Sequence, residues 1–233
     1  MAAADAVEGD LKGKRPLSGS AVDAPDPDAI WHRVQAYYEA KLARHGANPC
    51  DVDWSCTATQ WLRFVQLLKL CSFDTPLSLI DLGCGYGALA AFLAERYPRA
   101  SVDYLGIDLS SAMVRRARRR HRGNPAIRFR IGRSYPQQAD YTVASGIMNV
   151  RLGCPIPLWE SLVRGTLADM RRMSRQGFAV NFLAMLPVNT PPEMLYCPHP
   201  AIWSRYCEEE LGCAVEVRDD YGIREYTLLA RCQ

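Results

Sequence analysis

The chain has 233 residues, 48% of them hydrophobic and 23% charged, with a formal net charge of +3. These values are typical of one globular domain with an accessory segment. No apolar run approaches the roughly 20 residues that cross a bilayer. We therefore expect that this is not a membrane protein.

The nine cysteines are dispersed along the sequence, and no two of them form a Cys-x-x-Cys pair. This spacing argues against a zinc cluster, so no metal site is predicted. The first residues contain no apolar signal-peptide core. We expect a cytoplasmic protein whose thiols are mostly small buried groups.

The N-terminal third divides into a polar tail and two helical stretches. Residues 1–28 mix charged residues with Pro, Gly, Ala and Ser, and are predicted to be a disordered tail. Residues 29–75 contain two stretches with apolar residues at helical spacing, the first ending at Gly46. The second, TATQWLRFVQLLKLCSF, places Trp61 and Phe64 on its apolar side. We predict a two-helix lid ahead of the main domain.

Residues 76–233 alternate between strand and helix patterns, which indicates a parallel α/β sheet. The segments LSLIDLG, SVDYLGIDL, IRFRIG, YTVASGI and FAVNFLA are the predicted strands of this alternation. The helix before the fifth strand is predicted over PLWESLVRGTLADMRRMSR. The last two segments, CAVEVRDDY and EYTLLARC, flank a turn and are predicted to form an antiparallel hairpin.

Three glycines follow the first predicted strand at alternate positions, in LIDLGCGYGALA. In an α/β sheet this strand-to-helix turn is the usual approach to a cofactor, and glycine lets backbone N–H groups come close to the ligand. Gly83, Gly85 and Gly87 give the spacing Gly-x-Gly-x-Gly. Dinucleotide sites use Gly-x-Gly-x-x-Gly instead, so the spacing argues against NAD.

Two carboxylates accompany the turn. Asp108 ends the second strand, 21 residues after Gly87, where a carboxylate can accept both hydroxyl hydrogens of a ribose. Asp81 lies at the tip of the first strand, close to the charged end of a cofactor bound there. A phosphate would require Lys or Arg, which the turn lacks. The pattern favours a nucleoside cofactor with a positive sulfonium and ammonium.

DLGCGYG followed by GIDLSSAMVRRAR resembles the class I S-adenosylmethionine-dependent methyltransferases. The resemblance spans about residues 77–232 and implies a Rossmann-like, seven-stranded, mainly parallel sheet whose last strand is antiparallel. VDW at 52–54, QWLRF at 60–64, ASGIMNVRL at 144–152 and DYGIREYTLLAR at 220–231 resemble, more loosely, bacterial small-molecule methyltransferases whose substrates are mostly unassigned. S-adenosyl-L-methionine is the implied cofactor.

The resemblance also implies which residues hold that cofactor. Asp81 would lie near the methionine amine, and Asp108 would hold the ribose hydroxyls. Many members carry an acidic residue after the third strand, where this chain has Arg133, so a backbone group near Ser134 is expected to replace it. The complete predicted cofactor set is Asp81, Gly83, Cys84, Gly85, Gly87, Asp108, Leu109, Met113, Ser134 and Ser145.

The residues after the fourth strand argue against nucleic-acid chemistry. ASGIMNVR resembles neither the Asn/Asp-Pro-Pro-Tyr motif of nucleobase and glutamine methyltransferases nor the proline-cysteine order of cytosine-C5 enzymes. The run VRRARRRHR at 114–122 places six arginines in nine positions. Since Met113, Val114 and Ala117 can face the sheet, we interpret the run as a solvated helix face. An anionic partner such as RNA stays open as the alternative.

The residues that bind the methyl acceptor are harder to infer from the sequence than those that bind the cofactor. Positioning alone can supply about 7–11 kcal/mol of a barrier, so catalytic residues can be few. Substrate-binding candidates are the polar and aromatic residues of the lid and strand ends: Tyr37, Trp54, Gln60, Arg63, Asn149 and Asn181. Arg63 lies on an apolar-leaning helix and must find an anion, either a protein carboxylate or a ligand.

Three residues are candidates for catalysis. His199 follows the fifth strand at the active edge and can act as a base. Asn149 follows the strand that faces the transferred methyl, and Tyr221 lies in the final hairpin. A metal-assisted enzyme would need two or three carboxylates or amides at the ends of the fourth and fifth strands. Asp140 is the only candidate nearby, and it should begin the fourth strand at the other edge of the sheet, so no metal is predicted.

We predict transfer of a methyl group from S-adenosylmethionine to the oxygen or nitrogen of a small polar metabolite or sugar-like acceptor. One alternative is a noncatalytic S-adenosylmethionine-binding module. The other is a methyltransferase that meets RNA or another anionic partner through the arginine run at 115–122.

Overall fold

The computed structural model describes residues 27–45, 57–188 and 190–232. The predicted tail up to residue 26 and the substrate candidate Trp54 lie outside these ranges. The helices are α1 (Pro27–His45), α2 (Thr57–Leu68), α3 (Ala88–Arg96), α4 (Ser111–Arg120), α5 (Ile156–Arg172) and α6 (Pro200–Glu209). The strands are β1 (Leu77–Leu82), β2 (Val102–Asp108), β3 (Ile127–Ile131), β4 (Ala139–Ala144), β5 (Ser174–Leu183), β6 (Cys213–Arg218) and β7 (Glu225–Cys232).

The strands form one seven-stranded sheet in the order β3-β2-β1-β4-β5-β7-β6. The first five strands pair in parallel, and β7 pairs antiparallel with both β5 and β6. The predicted Rossmann-like sheet with an antiparallel last strand is confirmed. Because β1 and β4 are neighbours that lead to opposite halves of the sheet, their carboxyl ends form the topological switch point where α/β proteins bind ligands.

Strand β5 begins earlier than predicted. The helix was expected to continue through Arg175, but α5 ends at Arg172 and β5 begins at Ser174. The hydroxyl of Ser174 donates to the carbonyl of Met170, and Ser174 pairs with Ala139 of β4. The residues Ser-Arg-Gln at the start of β5 lack the apolar and β-branched side chains that mark a strand in sequence.

Helix α1 covers a face of the sheet that another helix would otherwise cover. Between β3 and β4 the chain has only residues 132–138 and no helix. Ile30 and Val34 of α1 are buried in the same cluster as Leu82 of β1 and Ile107 of β2, and α5 completes this layer. The face over β1 and β2 is closed by the N-terminal helix because the β3-to-β4 connection is too short to do so.

Helix α2 packs against the opposite face of the sheet. Phe64, Leu67 and Leu68 are buried in the cluster that contains Val143 of β4 and Leu229 of β7. The lid interpretation of residues 29–75 therefore needs correction for α2, which is a packed layer of the sheet. Lid motion of this segment stays a prediction.

The apolar side predicted for α2 is also wrong in part. Trp61 is 37% exposed and packs edge-to-face on Phe92, with ring centroids 5.4 Å apart. The buried face carries three polar residues instead, Gln60, Arg63 and Gln66. A polar face of this kind is stable only if its groups find partners inside the protein.

Candidate active site

The turn after β1 adopts the backbone that its glycines allow. Gly83, Gly85 and Gly87 have φ angles of 76°, 53° and 78°, in the left-handed region. The N–H groups of Gly83 and Cys84 both donate to the carbonyl of Ile107 in β2, at 2.7 and 3.0 Å. The turn is thereby folded back toward the end of β2, where Asp108 lies.

A cavity of about 530 Å³ opens beside this turn, at the carboxyl end of the parallel strands. Its size is within the range of roughly 300–1,000 Å³ for small-molecule sites. The sheet side of its lining comes from the ends of β1, β2 and β4 and from the β3-to-β4 connection. Helices α1, α2 and α5 and the first residues of α3 and α4 contribute the rest of the lining.

Asp81 is the most deeply buried of the three aspartates that line this cavity, with 3% of its surface exposed. The Tyr104 hydroxyl donates to its Oδ2 at 2.5 Å. Burial, opposed by the hydrogen bond from Tyr104 and assisted by the nearby Asp108 carboxylate, raises the pKa of Asp81 to about 7. No cation among the described residues bonds to this carboxyl group. It is suited to a positive group supplied by a ligand.

Asp108 binds the glycine turn as well as facing the cavity. Its Oδ2 accepts from Gly85 N–H and its Oδ1 from Ser110 N–H, each at 2.8 Å. Burial raises the pKa of Asp108, the two backbone hydrogen bonds oppose this, and Glu39 raises it again. The carboxylate is therefore fixed in orientation, with remaining acceptor capacity for ligand hydroxyls.

These residues fit a cationic nucleoside cofactor. Two buried carboxyl groups with raised pKa values suit a sulfonium and an ammonium. Ser145, at the end of β4, lines the cavity, and its buried hydroxyl oxygen has no hydrogen-bond partner among the described residues. A buried hydroxyl without a partner is costly, and a polar ligand group would satisfy it.

All predicted cofactor residues except Gly87 line the cavity. Gly87 lies immediately before α3 and packs against His121, the residue that follows α4, and Phe129 of β3. Its carbonyl oxygen is 2.9 Å from Nε2 of His121, and an added Cβ would lie 2.9 Å from both that nitrogen and Phe129. Gly87 is needed for close packing of the helix rather than for contact with a ligand.

The residues expected around the adenine also belong to the cavity lining. They include Leu109, Met113 and Ser134, whose contact with the cofactor stays a prediction. Arg133 also lines the cavity, and its guanidinium forms an ion pair with Asp28 of α1 at 2.7 Å. This arginine is thus held by the first helix.

Of the described substrate candidates, only Gln60 lines the cavity. Its amide group lies 3.4 Å from the Tyr86 hydroxyl. Tyr37 does not line the cavity. Its ring contacts Tyr38 edge-to-face, and the Lys41 ammonium lies over the ring, 4.7 Å from its centroid. The substrate role of Tyr37 is not supported by this placement.

Arg63 has a protein carboxylate as its partner. It donates to Glu225 of β7 through Nε at 2.7 Å and Nη2 at 2.5 Å. Asn181 of β5 donates to the same carboxylate and accepts from the N–H of Gly146. Neither Arg63 nor Asn181 lines the cavity. The two side chains are structural groups behind the cavity wall.

The three catalytic candidates are all outside the cavity lining. Asn149 is buried, and its Oδ1 accepts from Leu183 N–H at 3.1 Å. His199 is exposed and caps α6, since its side chain accepts from Ala201 N–H. The Tyr221 hydroxyl is bonded to Thr227 at 2.9 Å. The predicted position of these three residues beside the reacting groups is therefore not supported by the cavity lining.

Sequence reasoning missed several cavity residues on helices. Trp31, Gln35 and Tyr38 line the cavity from one face of α1, at helical spacing of four and three residues. Thr166 and Asp169 line it from α5. The spacing on α1 was a usable signal, whereas nothing in the local pattern of α5 distinguishes a cavity face from a solvent face.

The arginine run lies away from the cavity on α4. Met113, Val114 and Ala117 are the buried residues of this helix, while all six arginines of 115–122 are exposed. Within the described ranges, none of the six forms an ion pair with a carboxylate. The predicted solvated face agrees with this exposure, and binding to RNA stays untested.

Among the described residues, no cluster of three or more His, Cys, Asp or Glu side chains has the arrangement of a metal site. Asp140 lies at the start of β4, bound by Ser78 and Arg175. Within the same residues, none of the helices has the length and apolar character needed to cross a membrane.

Known proteins resemble this chain over most of its length. A family model described as a methyltransferase domain matches residues 79–177. A protein of Mycobacterium tuberculosis that carries the name "Putative methyltransferase" is 36% identical over 165 residues, which are 70% of this chain and 98% of that protein. Trans-aconitate 2-methyltransferase of Acidovorax sp. strain JS42 is 39% identical over 67 residues, but these cover only 29% of this chain and 25% of that enzyme.

Solved structures share the fold at low sequence identity. Mycolic acid cyclopropane synthase complexed with S-adenosylhomocysteine has a TM-score of 0.62 at 13% identity, covering 87% of this chain and 98% of that one. Magnesium protoporphyrin IX methyltransferase from Synechocystis, with bound S-adenosylmethionine, has a TM-score of 0.52 at 14% identity, covering 90% and 93%. The match to the mycobacterial protein covers nearly all of that protein, and it agrees with the shared fold and with the glycine turn between Asp81 and Asp108. The chain therefore belongs to the class I S-adenosylmethionine-dependent methyltransferases.

Proposed function

We propose that this methyltransferase acts on the oxygen or nitrogen of a small polar metabolite or sugar-like molecule bound in the same cavity as the cofactor. S-adenosylmethionine supplies an electrophilic methyl group on its sulfonium. The chain's own residues bind the cofactor, orient the acceptor and limit access of water. The observation that carries the proposal is one cavity whose lining combines buried carboxyl groups with uncharged aromatic and amide side chains.

The buried carboxyl groups Asp81 and Asp108 line the cavity and support cofactor binding. Uncharged aromatic and amide side chains of α1 and α2 also line it, including Trp31, Gln35 and Gln60. Aromatic faces with a few polar groups are the usual lining of sites for small polar rings. This lining supports an acceptor that is polar but not highly charged.

The lining contains no histidine among the described residues. Burial raises the pKa of the Tyr38 hydroxyl, with Tyr37 and Asp108 adding to the increase, so this phenol is a poor base. Rate acceleration by positioning requires only that the acceptor atom and the methyl group be held in line. We therefore expect an acceptor that is nucleophilic once its proton passes to water or to a group of its own.

A carboxylate acceptor is less well matched to the cavity. The partial relatives are named for trans-aconitate, a polycarboxylate. In the cavity lining described here, Arg133 is the only cation, and it is paired with Asp28. Three aspartates, Asp81, Asp108 and Asp169, line the same space and would repel a carboxylate.

The experiment is incubation of the protein with methyl-labelled cofactor and fractionated bacterial metabolite extract, followed by detection of labelled small molecules. Trans-aconitate is tested in parallel, and Asp108→Asn serves as a variant with impaired cofactor binding. Labelled product from a neutral fraction supports the proposal. Cofactor binding without product in any fraction favours the noncatalytic module, and label on trans-aconitate or on added RNA contradicts the proposed acceptor class.

A further inference from the structure

A buried chain of polar side chains connects three elements behind the cavity. Asn181 of β5 has no exposed surface, and Glu225 of β7 has 2%. The Asn181 amide donates through Nδ2 to Glu225 Oε2 at 2.5 Å. Arg63 of α2 holds both oxygens of the same carboxylate. The network is closed by the N–H of Gly146, which donates to Asn181 Oδ1 at 2.8 Å.

The last of these bonds reaches the cavity wall. Gly146 lies between Ser145 and Ile147, and all three line the cavity. Gly146 has a φ angle of 76°, so the segment 145–147 turns sharply after β4. The Asn181 side chain is thus the group that ties the middle of this turn to the neighbouring strand.

Segment 145–147 also packs against the glycine turn after β1, residues 83–87. A Cβ added to Gly83 would lie 2.1 Å from Cγ2 of Ile147. Because real Cβ contacts at this distance do not occur, the Ile147 methyl group occupies the space that the missing side chain leaves. A shift of segment 145–147 by a fraction of an ångström would move Ile147 either into the glycine turn after β1 or away from it.

The other end of the network lies on a helix that also lines the cavity. Gln60 and Phe64 contribute to the lining, and Arg63 comes between them on α2. The helical wall and the turn after β4 are therefore joined through one carboxylate. A buried ion pair is weak evidence for stability, since well-packed apolar residues of similar volume often stabilise a protein as much or more. Its placement here is better explained by the geometry that it imposes on the cavity.

We propose that Asn181, oriented by Glu225 and Arg63, is a positioning residue that holds segment 145–147 in the conformation required for cofactor binding. It acts through the Gly146 peptide and touches neither cofactor nor acceptor. Ser145, whose hydroxyl lacks a partner among the described residues, is the group whose position it sets toward the cofactor.

The first test is Asn181→Ala, with S-adenosylhomocysteine affinity measured by calorimetry. Removing the acceptor of the Gly146 N–H is expected to weaken binding about tenfold, the effect of one lost hydrogen bond at a buried peptide. The matched control is Ser174→Ala, which removes another fully buried side-chain hydrogen bond at the opposite end of the same strand. The control is expected to lower thermal stability and leave the affinity unchanged within twofold.

The second test is rescue by reversing donor and acceptor. Asn181→Asp alone places two carboxylates in contact and is expected to weaken binding by tenfold or more. Combining it with Glu225→Gln places an amide donor at the Oε2 position opposite the new carboxylate, keeps Oε1 as the acceptor for Arg63 Nη2, and keeps an acceptor for Gly146 N–H. The Arg63 Nε–H, which also donates to Glu225 Oε2, loses that acceptor. The double variant is therefore expected to recover only part of the affinity, binding about threefold or more tighter than Asn181→Asp alone, a non-additive effect typical of groups in one network.

A spectroscopic signature distinguishes positioning from general stabilisation. The Gly146 amide cross-peak in a proton–nitrogen NMR spectrum should shift in Asn181→Ala, return toward its original position in the double variant, and stay unchanged in Ser174→Ala. Unchanged cofactor affinity in folded Asn181→Ala would overturn the proposal. Failure of the double variant to recover affinity while it folds normally would do the same.

Discussion

The binding of cofactor should depend on pH through Asp81. In the cofactor-free protein, burial raises the pKa of this carboxyl group to about 7, with the hydrogen bond from Tyr104 opposing the increase and Asp108 contributing to it. A bound ammonium or sulfonium favours the ionised form and lowers that pKa. Affinity is therefore fully present above the pKa of the free protein and is lost as the pH falls below it.

The expected size of this effect follows from the fraction of ionised Asp81. With a pKa of about 7 in the free protein, affinity should fall about fivefold between pH 7 and 6 and about tenfold between pH 6 and 5. The amino group of the ligand has an ordinary pKa of about 8 and stays charged throughout this range. Binding should also release protons from the protein.

Calorimetry with S-adenosylhomocysteine in buffers of different ionisation enthalpy measures both the affinity and the released protons. Asp81→Asn keeps an acceptor for the Tyr104 hydroxyl but cannot titrate, so most of the pH dependence should disappear along with part of the affinity. Tyr104→Phe removes a hydrogen bond that lowers the pKa of Asp81, so its profile should move to higher pH. A flat profile in the original protein, or an unchanged slope in Asp81→Asn, would refute the reasoning.

Three further outcomes are expected. Asp108→Asn should reduce S-adenosylhomocysteine affinity by about 1.5–3 kcal/mol in a calorimetric titration, the range for hydrogen bonds to charged groups; unchanged affinity would remove its assigned role. Gly83→Ala should abolish measurable binding and lower thermal stability, because its φ of 76° and the Ile147 methyl group both oppose a side chain, and Gly83→Ala with Ile147→Ala should recover only part of the loss. His199→Ala should cost about 0.5–2 kcal/mol in chemical unfolding through the lost helix cap, with no change in cofactor affinity or in methyl transfer once an acceptor is found; a drop in turnover would return His199 to the catalytic candidates.

The cofactor half of the site could be predicted from the sequence because its residues depend on strand ends and on a short turn. The carboxyl ends of parallel strands meet at one edge of a sheet, so Asp81, the glycine turn and Asp108 had to converge once the strand and helix pattern was identified. The left-handed φ angles of the turn depend only on the absence of side chains. Neighbouring strands and short connections leave few alternatives for such groups.

The acceptor half of the site could not be derived in the same way. Arg63 and Glu225 are 162 residues apart, and their pairing depends on α2 and β7 lying on the same part of the sheet. Sequence spacing identified Arg63 as an arginine that needs an anion, but left open whether that anion was a ligand or a protein carboxylate. His199 illustrates the converse error, since a position after a strand does not determine where a side chain points.

The sequence by itself determined the sheet, the cofactor class and the strand-end and glycine-turn residues that line the cavity, since these depend on periodicity and on short-range turn geometry. Tertiary packing alone decided that α1 covers the face left open by the short connection after β3 and contributes Trp31, Gln35 and Tyr38 to the cavity. It also decided that Gly87 packs against His121 and Phe129 and that Asn181 supports the turn after β4. These contacts join residues far apart in the chain, and many packings satisfy the same local pattern until the whole core is assembled.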